Sequence, residues 1–207
     1  MSALYGRPQG AFTFLNEAHF TTNFGAKTAA YFNIFKHVPL NGVHLEEVLF
    51  RALWETDGVN RVEWRPNSHI VGRDIAVNGI RISVKSCGLP KKEEALMEYS
   101  SYRTTKLKTI QEKIAYCDAD HYDTIICLAR NEIVKDGDHY THYSLREVSH
   151  PSMLSEMDWT EDDVNYTGLH PNWKAVIRKS RSDQLLIHIP LSHTRVIMSF
   201  DVKREIY

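Results

Sequence analysis

The chain has no Cys-x-x-Cys pair. Its three cysteines, Cys87, Cys117 and Cys127, suit neither a zinc knuckle nor a secreted disulfide scaffold, and read as small buried residues in a reducing cytoplasm. A basic-then-apolar leader is also missing, and no apolar run approaches the ~18 residues that span a bilayer. The expectation is a soluble, cytoplasmic protein without a membrane partner. Charge of one sign is lacking too: the formal net charge is −1, so any nucleic-acid surface has to be local. Internal repeats and low-complexity tracts are absent, which excludes solenoids and disordered arrays.

What remains is an ordinary globular composition over 207 residues, long enough for one domain (1–207) around one compact core. Aromatics crowd the first 40 residues, with Phe12, Phe14, Phe20, Phe24, Tyr31, Phe32 and Phe35. They suit core packing first, a partner subunit or a substrate second. The polar, acidic stretch 149–172 reads as the longest turn-rich connection.

The segment from Arg73 to Lys85, RDIAVNGIRISVK, carries the strongest local signal. Asn78-Gly79 between runs rich in Ile and Val predicts a two-residue type I′ hairpin, because both central residues need positive φ. That loop sets Val77 against Ile80, Ile75 against Ile82 and Asp74 against Ser83. Side chains alternate along a strand, so Ile80, Ile82 and Val84 take one face. Arg81, Ser83 and Lys85 take the other, and Asp74 joins them.

Around the hairpin, a helix is expected from Asn41, as N-cap, to Trp54, with Leu45, Val48, Leu49, Ala52 and Leu53 as its buried stripe. Glu46 flanks that stripe and Glu47 opposes it. A strand follows near 60–64, and after the hairpin a longer helix over Lys91–Ala115, with Leu96, Tyr99, Leu107, Ile110 and Ile114 inward and Lys106, Lys108 and Lys113 outward. Tyr122–Ala129 is a near-continuous apolar run, as in a strand covered on both faces. The expected fold class is α/β: a mixed central sheet flanked by helices, with a β-rich C-terminal elaboration.

Gly42-x-x-x-Glu46 opening a helix, then Asp74, then Ser83-Val84-Lys85 on a hairpin, then a helix and a buried strand, resembles the catalytic core of the PD-(D/E)XK nuclease superfamily. That superfamily includes type II restriction endonucleases and archaeal Holliday junction resolvases. The resemblance covers residues 41–130 and implies a restriction-endonuclease-like core. It assigns Mg²⁺ binding to Asp74, activation or positioning of the attacking water to Lys85, and assistance to a helix glutamate such as Glu46. Arg73 stands where proline is usual, and Ser83 where an acidic residue is usual. Some restriction enzymes that cut around CCGG or CCNGG cores carry the same Ser-x-Lys and take their second carboxylate from a glutamate about a dozen residues downstream. Here Glu98 follows Lys85 after twelve intervening residues. Glu98 leads as the second metal ligand, Glu46 stands close behind, and both serving is a third option. Glu93 and Glu94 are weaker candidates. Ser83 is a spacer or a donor to the site rather than a nucleophile, since no base is positioned to activate it.

For substrate contact, Lys174, Arg178, Lys179 and Arg181 form a local basic cluster on two strands joined near 180–183, ahead of a final strand RVIMSFDVK. Arg103 and Lys106 offer a second phosphate contact. His139, His142, His188 and His193 have no third ligand at a recognised spacing and read as strand or loop residues. These observations imply a restriction-type, Mg²⁺-dependent DNA endonuclease acting on double-stranded DNA as a homodimer, with a companion DNA methyltransferase possible. Residues 131–207 would extend the sheet and recognise DNA. The alternatives are a structure-specific nuclease for junctions, mismatches or damage, and a nuclease-derived DNA-binding protein without catalysis.

Overall fold

The computed structural model describes residues 16–36, 38–64, 74–92, 95–119, 122–148, 154–171 and 173–204, with Arg181 described by its backbone only. Phe12, Phe14, Arg73, Glu93, Glu94 and the Arg181 side chain lie outside the described residues.

Helix α1 (Glu17–Ile34) starts at Asn16, whose side chain accepts from the His19 backbone N–H. Phe20, Phe24, Thr28 and Tyr31 recur at helical spacing and are buried, and Phe32 is partly buried against them, so of the early aromatics these supply core while Phe35 is exposed. Each fully buried Phe contributes roughly 2–3 kcal/mol relative to exposure. Helix α2 (Gly42–Trp54) buries Leu45, Val48, Leu49, Ala52 and Leu53, the stripe read from the sequence. Asn41 occupies its N-cap position but makes no side-chain capping bond.

The strands β1 (Val62–Trp64), β2 (Ile75–Val77) and β3 (Ile80–Gly88) form an antiparallel meander. Asn78 at φ 47° and Gly79 at φ 87° turn the hairpin, and Ile75, Ala76 and Val77 face Ile82, Arg81 and Ile80 in the expected register. The Asn78 side chain also accepts from the backbone N–H of Asn60 and Arg61 and donates to the Gly58 carbonyl. This ties the turn to the chain entering β1.

The helix expected over Lys91–Ala115 does not form. Its first half is strand β4 (Leu96–Arg103), and only α3 (Ile110–Asp118) is helical. Met97 and Tyr99 are buried while Leu96 and Glu98 are exposed, a period of two that the charged run before them obscures. Helix α3 starts at a capping box: the Thr109 side chain accepts from Glu112, whose carboxylate accepts from the Thr109 backbone. Lys113 is not outward but buried, donating to the Thr104 and Leu107 carbonyls and pairing with Asp183 at 3.0 Å.

Strand β5 (Thr124–Lys135) runs parallel to β3 and pairs antiparallel with β6 (Asp138–Val148) through an Asp136-Gly137 turn, both residues at positive φ. Stretch 149–172 is not a plain connection, since it contains β7 (Asp158–Glu161) and β8 (Asn165–His170). The Trp159 ring lies against Gly168 across that pair, 2.8 Å from where a Cβ would sit, so any larger residue there is blocked. The expected C-terminal strands are β9 (Trp173–Arg178), β10 (Gln184–Pro190) and β11 (Thr194–Lys203).

Two sheets result. One is six-stranded and mixed, ordered β1-β2-β3-β5-β6-β11; the other is five-stranded, ordered β4-β10-β9-β8-β7, with every pairing antiparallel. The α/β mixed-sheet expectation stands, but on one face the second sheet shares the cover with a helix. Helices α1 and α2 cover one face of the mixed sheet with Ile82, Val84, Ile126 and Leu128. On the other, Ile125, Cys127 and Ala129 meet α3 and the second sheet. In place of the one compact core expected, the buried residues form two apolar clusters, one on each face of β3 and β5, which explains the unbroken apolar run of Thr124–Ala129. Among the described residues, no helix is long and apolar enough to cross a membrane.

Candidate active site

Asp74 enters β2 one residue before its first paired position, and its backbone N–H donates to the Ile82 carbonyl. This holds the carboxylate against β3. Asp74 Oδ2 accepts from the Val84 backbone N–H at 2.6 Å and from Ser83 Oγ at 3.3 Å, and lies 3.6 Å from Lys85 Nζ. Oδ1 takes no hydrogen bond among the described residues. Ser83 is buried, while Asp74 and Lys85 stay partly open to solvent. The hairpin thus gathers Asp74, Ser83 and Lys85, as its register requires.

Glu46 lies on α2, near enough for the charges of Asp74 and Lys85 to act on it. The Trp64 indole N–H at the end of β1 donates to Glu46 Oε2 at 3.2 Å, and Trp64 stacks on Phe50 one turn further along α2, with ring centroids 5.3 Å apart. Burial raises the Glu46 carboxyl above its ordinary range, the Trp64 bond lowers it, the charge of Asp74 raises it and that of Lys85 lowers it; the net shift is upward. Glu46 is therefore close enough to feel both hairpin groups.

Glu98 has other partners. It stands on β4 in the second sheet, opposite His188 of β10. Its carboxylate lies 3.4 Å from Arg178 Nη2 and 3.6 Å from His188 Nε2. Among the described residues nothing joins it to Asp74 or Lys85. The downstream-glutamate spacing of the resemblance nominated Glu98, but the segment is strand β4 rather than the expected helix and carries it to the other sheet.

The basic candidates are divided. Lys174 lies beside His188 across β9 and β10; burial above all, against the pull of Glu98 and with lesser help from Lys174 and Arg178, holds the imidazole below its ordinary range. Arg178 is engaged by Glu98. Lys179 pairs with Glu161 at 2.7 Å, donates to the Asp162 carbonyl and sits over the Tyr166 ring. Arg103 and Lys106 line one cavity with Tyr116 at the β4–α3 connection. His139 and His142 are strand residues, and His142 pairs with Asp201 at 2.7 Å.

Among the described residues no cluster of three or more His, Cys, Asp and Glu forms a ready metal site. Two carboxylates with a neighbouring ammonium nevertheless fit a hard divalent cation such as Mg²⁺, which takes one or two carboxylates and fills its other positions with water and phosphate oxygen. Asp74 and Glu46 are the residues that would hold it. Comparison with protein families, with curated proteins and with solved structures finds no match to this chain.

Proposed function

We propose that the chain is a Mg²⁺-dependent endonuclease hydrolysing phosphodiester bonds of double-stranded DNA, working as a restriction-type homodimer. The observation that carries this reading is the grouping of Asp74, Lys85 and Glu46, with Lys85 Nζ 3.6 Å from Asp74 Oδ2 and Glu46 within reach of both charges. The element order supports it. Helix α2, the antiparallel meander β1–β3, helix α3 and a strand parallel to β3 follow the succession on which the resemblance to PD-(D/E)XK nucleases rests, with β4 inserted before α3.

In this reading Asp74 and Glu46 hold the cation, and Ser83 with the Val84 N–H fixes the Asp74 carboxylate. The bound cation would supply positive charge at the scissile phosphate and acidify a water. Lys85 orients the attacking water and stabilises the negative charge that develops on the phosphoryl oxygens. A P–O bond forms to water, the P–O bond to the leaving oxygen breaks, the water proton passes to solvent, and a solvent proton reaches the leaving oxygen to give the alcohol. Two such sites related by a two-fold axis would cut both strands.

A second reading keeps the chemistry and changes the target. Arg178 and Lys179, expected to read DNA, are held by Glu98 and Glu161. Fewer cations are then available for base recognition, which favours a structure-specific nuclease acting on junctions, mismatches or damage. Incubating the protein with plasmid DNA and Mg²⁺ and sequencing the ends separates the two. Discrete fragments with a common terminal sequence support the restriction-type reading, and cleavage of branched or mismatched DNA alone supports the second. Equal results for wild type and Lys85→Ala would sink both.

A further inference from the structure

Glu46, Phe50 and Trp54 follow one another at four-residue spacing along α2 and so share one side of the helix. Each step turns the line outward by about 40°. Glu46 and Phe50 are accordingly part-buried, while Trp54 is 63% exposed. The Phe50 ring stacks on Trp64 of β1 with centroids 5.3 Å apart and meets the Trp54 ring at 6.1 Å. Phe50 and Trp64 pack against the core on the α1–α2 face, which fixes the inner two rings. Trp64 in turn donates to Glu46. An aromatic line thus starts at the proposed cation ligand and ends at an exposed indole, eight residues and about 12 Å further along α2.

The charges around this indole are already matched. A cavity of about 250 Å³ is lined by Phe50, Arg51, Trp54 and Glu55. Arg51 donates through Nε and Nη2 to Glu47 Oε1 at 2.9 and 2.7 Å, and Glu55 pairs with Lys27 at 2.5 Å. The cavity therefore offers aromatic walls and no net charge, which suits an uncharged planar ring rather than a phosphate. A protein partner fits less well, because a stable interface buries about 800 Å² on each side around a dry apolar centre. Here the lining shared with the two rings is charged, and the exposed apolar surface is one ring wide.

We propose that Trp54 is a stacking platform for an unpaired nucleobase of a DNA strand whose scissile phosphodiester lies at Asp74 and Glu46. The inference rests on the nuclease reading for the identity of the strand, and it narrows the substrate to DNA with a mismatched, extrahelical or single-stranded base near the cut. Every base has a π-face, so the platform is tolerant of sequence. A base without a partner reaches it at the least cost, since no pairing has to be broken. The 12 Å from Glu46 spans a few steps of a stacked strand at ~3.4 Å each, so the bound base lies a few nucleotides from the cut. Volume agrees: the cavity lies below the ~300–1,000 Å³ of sites for larger ligands and has room for one ring.

The full chain, kept from cleaving by EDTA, is titrated into labelled duplexes that are fully paired, carry one unpaired adenine, or carry an abasic residue at the same place. Fluorescence anisotropy is read at about 50 and 200 mM salt. The duplex with the unpaired adenine should bind at least about fivefold tighter than the other two, the low end of what one stacked base contributes. Trp54→Ala should abolish that preference by the same factor at both salt concentrations, because stacking, unlike a phosphate contact, releases no counterion. Trp54→Phe, which keeps a ring, should retain most of it. Equal wild-type affinity for the three duplexes overturns the proposal. So does a preference that survives Trp54→Ala, or a wild-type dimer that Trp54→Ala dissociates in gel filtration. Plasmid cleavage with Mg²⁺, measured alongside, keeps this inference apart from the nuclease reading. Cleavage without the base preference sinks the platform alone, and the preference without cleavage supports the platform and sinks the nuclease reading alone.

Discussion

The Trp64 indole N–H donates to the Glu46 carboxylate at 3.2 Å, joining β1 to α2 beside Asp74 and Lys85. A half-buried carboxylate near a second carboxylate is a poor choice for stability alone. It suits a cation that would neutralise both.

The first prediction follows from that cost. The Glu46 carboxyl is raised above its ordinary value, chiefly by burial, so the folded chain binds its proton more tightly than the unfolded chain does. This favours folding in full below the unfolded value and is lost as pH rises through the raised folded value. At neutral pH the ionised Glu46 therefore costs stability in the metal-free protein. Glu46→Gln should raise the melting temperature at pH 7 slightly, since solvent screening at this half-exposed position trims the electrostatic gain. The gain should vanish near pH 4, and Mg²⁺ should stabilise the variant less than wild type. A lower melting temperature for Glu46→Gln at pH 7 would contradict this electrostatic account.

Cleavage should separate the two glutamates. On the proposed nuclease reading, Asp74→Asn, Lys85→Ala and Glu46→Gln should each lower the Mg²⁺-dependent rate by about 10²-fold or more, the usual loss for a group that stabilises transition-state charge. Glu98→Gln, on the second sheet with Arg178 and His188, leaves the rate within a few fold. Supercoiled-plasmid nicking measures all four; a rate lost in Glu98→Gln and kept in Glu46→Gln would reverse the ligand assignment.

The hairpin turn should control both stability and activity. Gly79 sits at φ 87°, and a β-branched residue there costs at least ~1–2 kcal/mol. Asn78→Ala removes three side-chain hydrogen bonds to the chain entering β1, at ~1–3 kcal/mol. Urea unfolding should register each loss. The cleavage rate should fall in the fully folded variants as well, because Asp74 is aligned by this register.

Thiol labelling should be uneven. Contact with Cys87 and then burial push the Cys127 thiol well above its ordinary value, and burial pushes Cys117 up to about 12. At pH 8 both are protonated and shielded, whereas Cys87 is partly exposed. Iodoacetamide on the native protein, followed by peptide mass spectrometry, should modify Cys87 first, with Cys117 and Cys127 reacting only after denaturation. Rapid native labelling of Cys117 would show that α3 opens.

Local sequence was enough wherever a turn or a stripe dominates. Asn78-Gly79 dictated the hairpin, Leu45 to Leu53 dictated α2, and the apolar run after Tyr122 marked the strand covered on both faces. Asp136-Gly137 carried an equally direct hairpin signal, and Thr109 with Glu112 a capping box, though neither entered the expected element pattern. The region 91–103 misled because Lys91 to Ala95 favours a helix, while Met97 and Tyr99 are drawn into a strand by pairing with β10. That pairing joins residues some 90 positions apart, so no local window contains it.

By itself, then, the sequence determined the register that puts Asp74 beside Ser83 and Lys85, because a two-residue turn and alternating side chains leave no freedom there. Only the tertiary structure decided which glutamate stands with them. Glu46, bonded to Trp64, is held near enough to the hairpin for Asp74 and Lys85 to act on it, whereas Glu98 is carried to the second sheet by a strand pairing that chain proximity does not reveal.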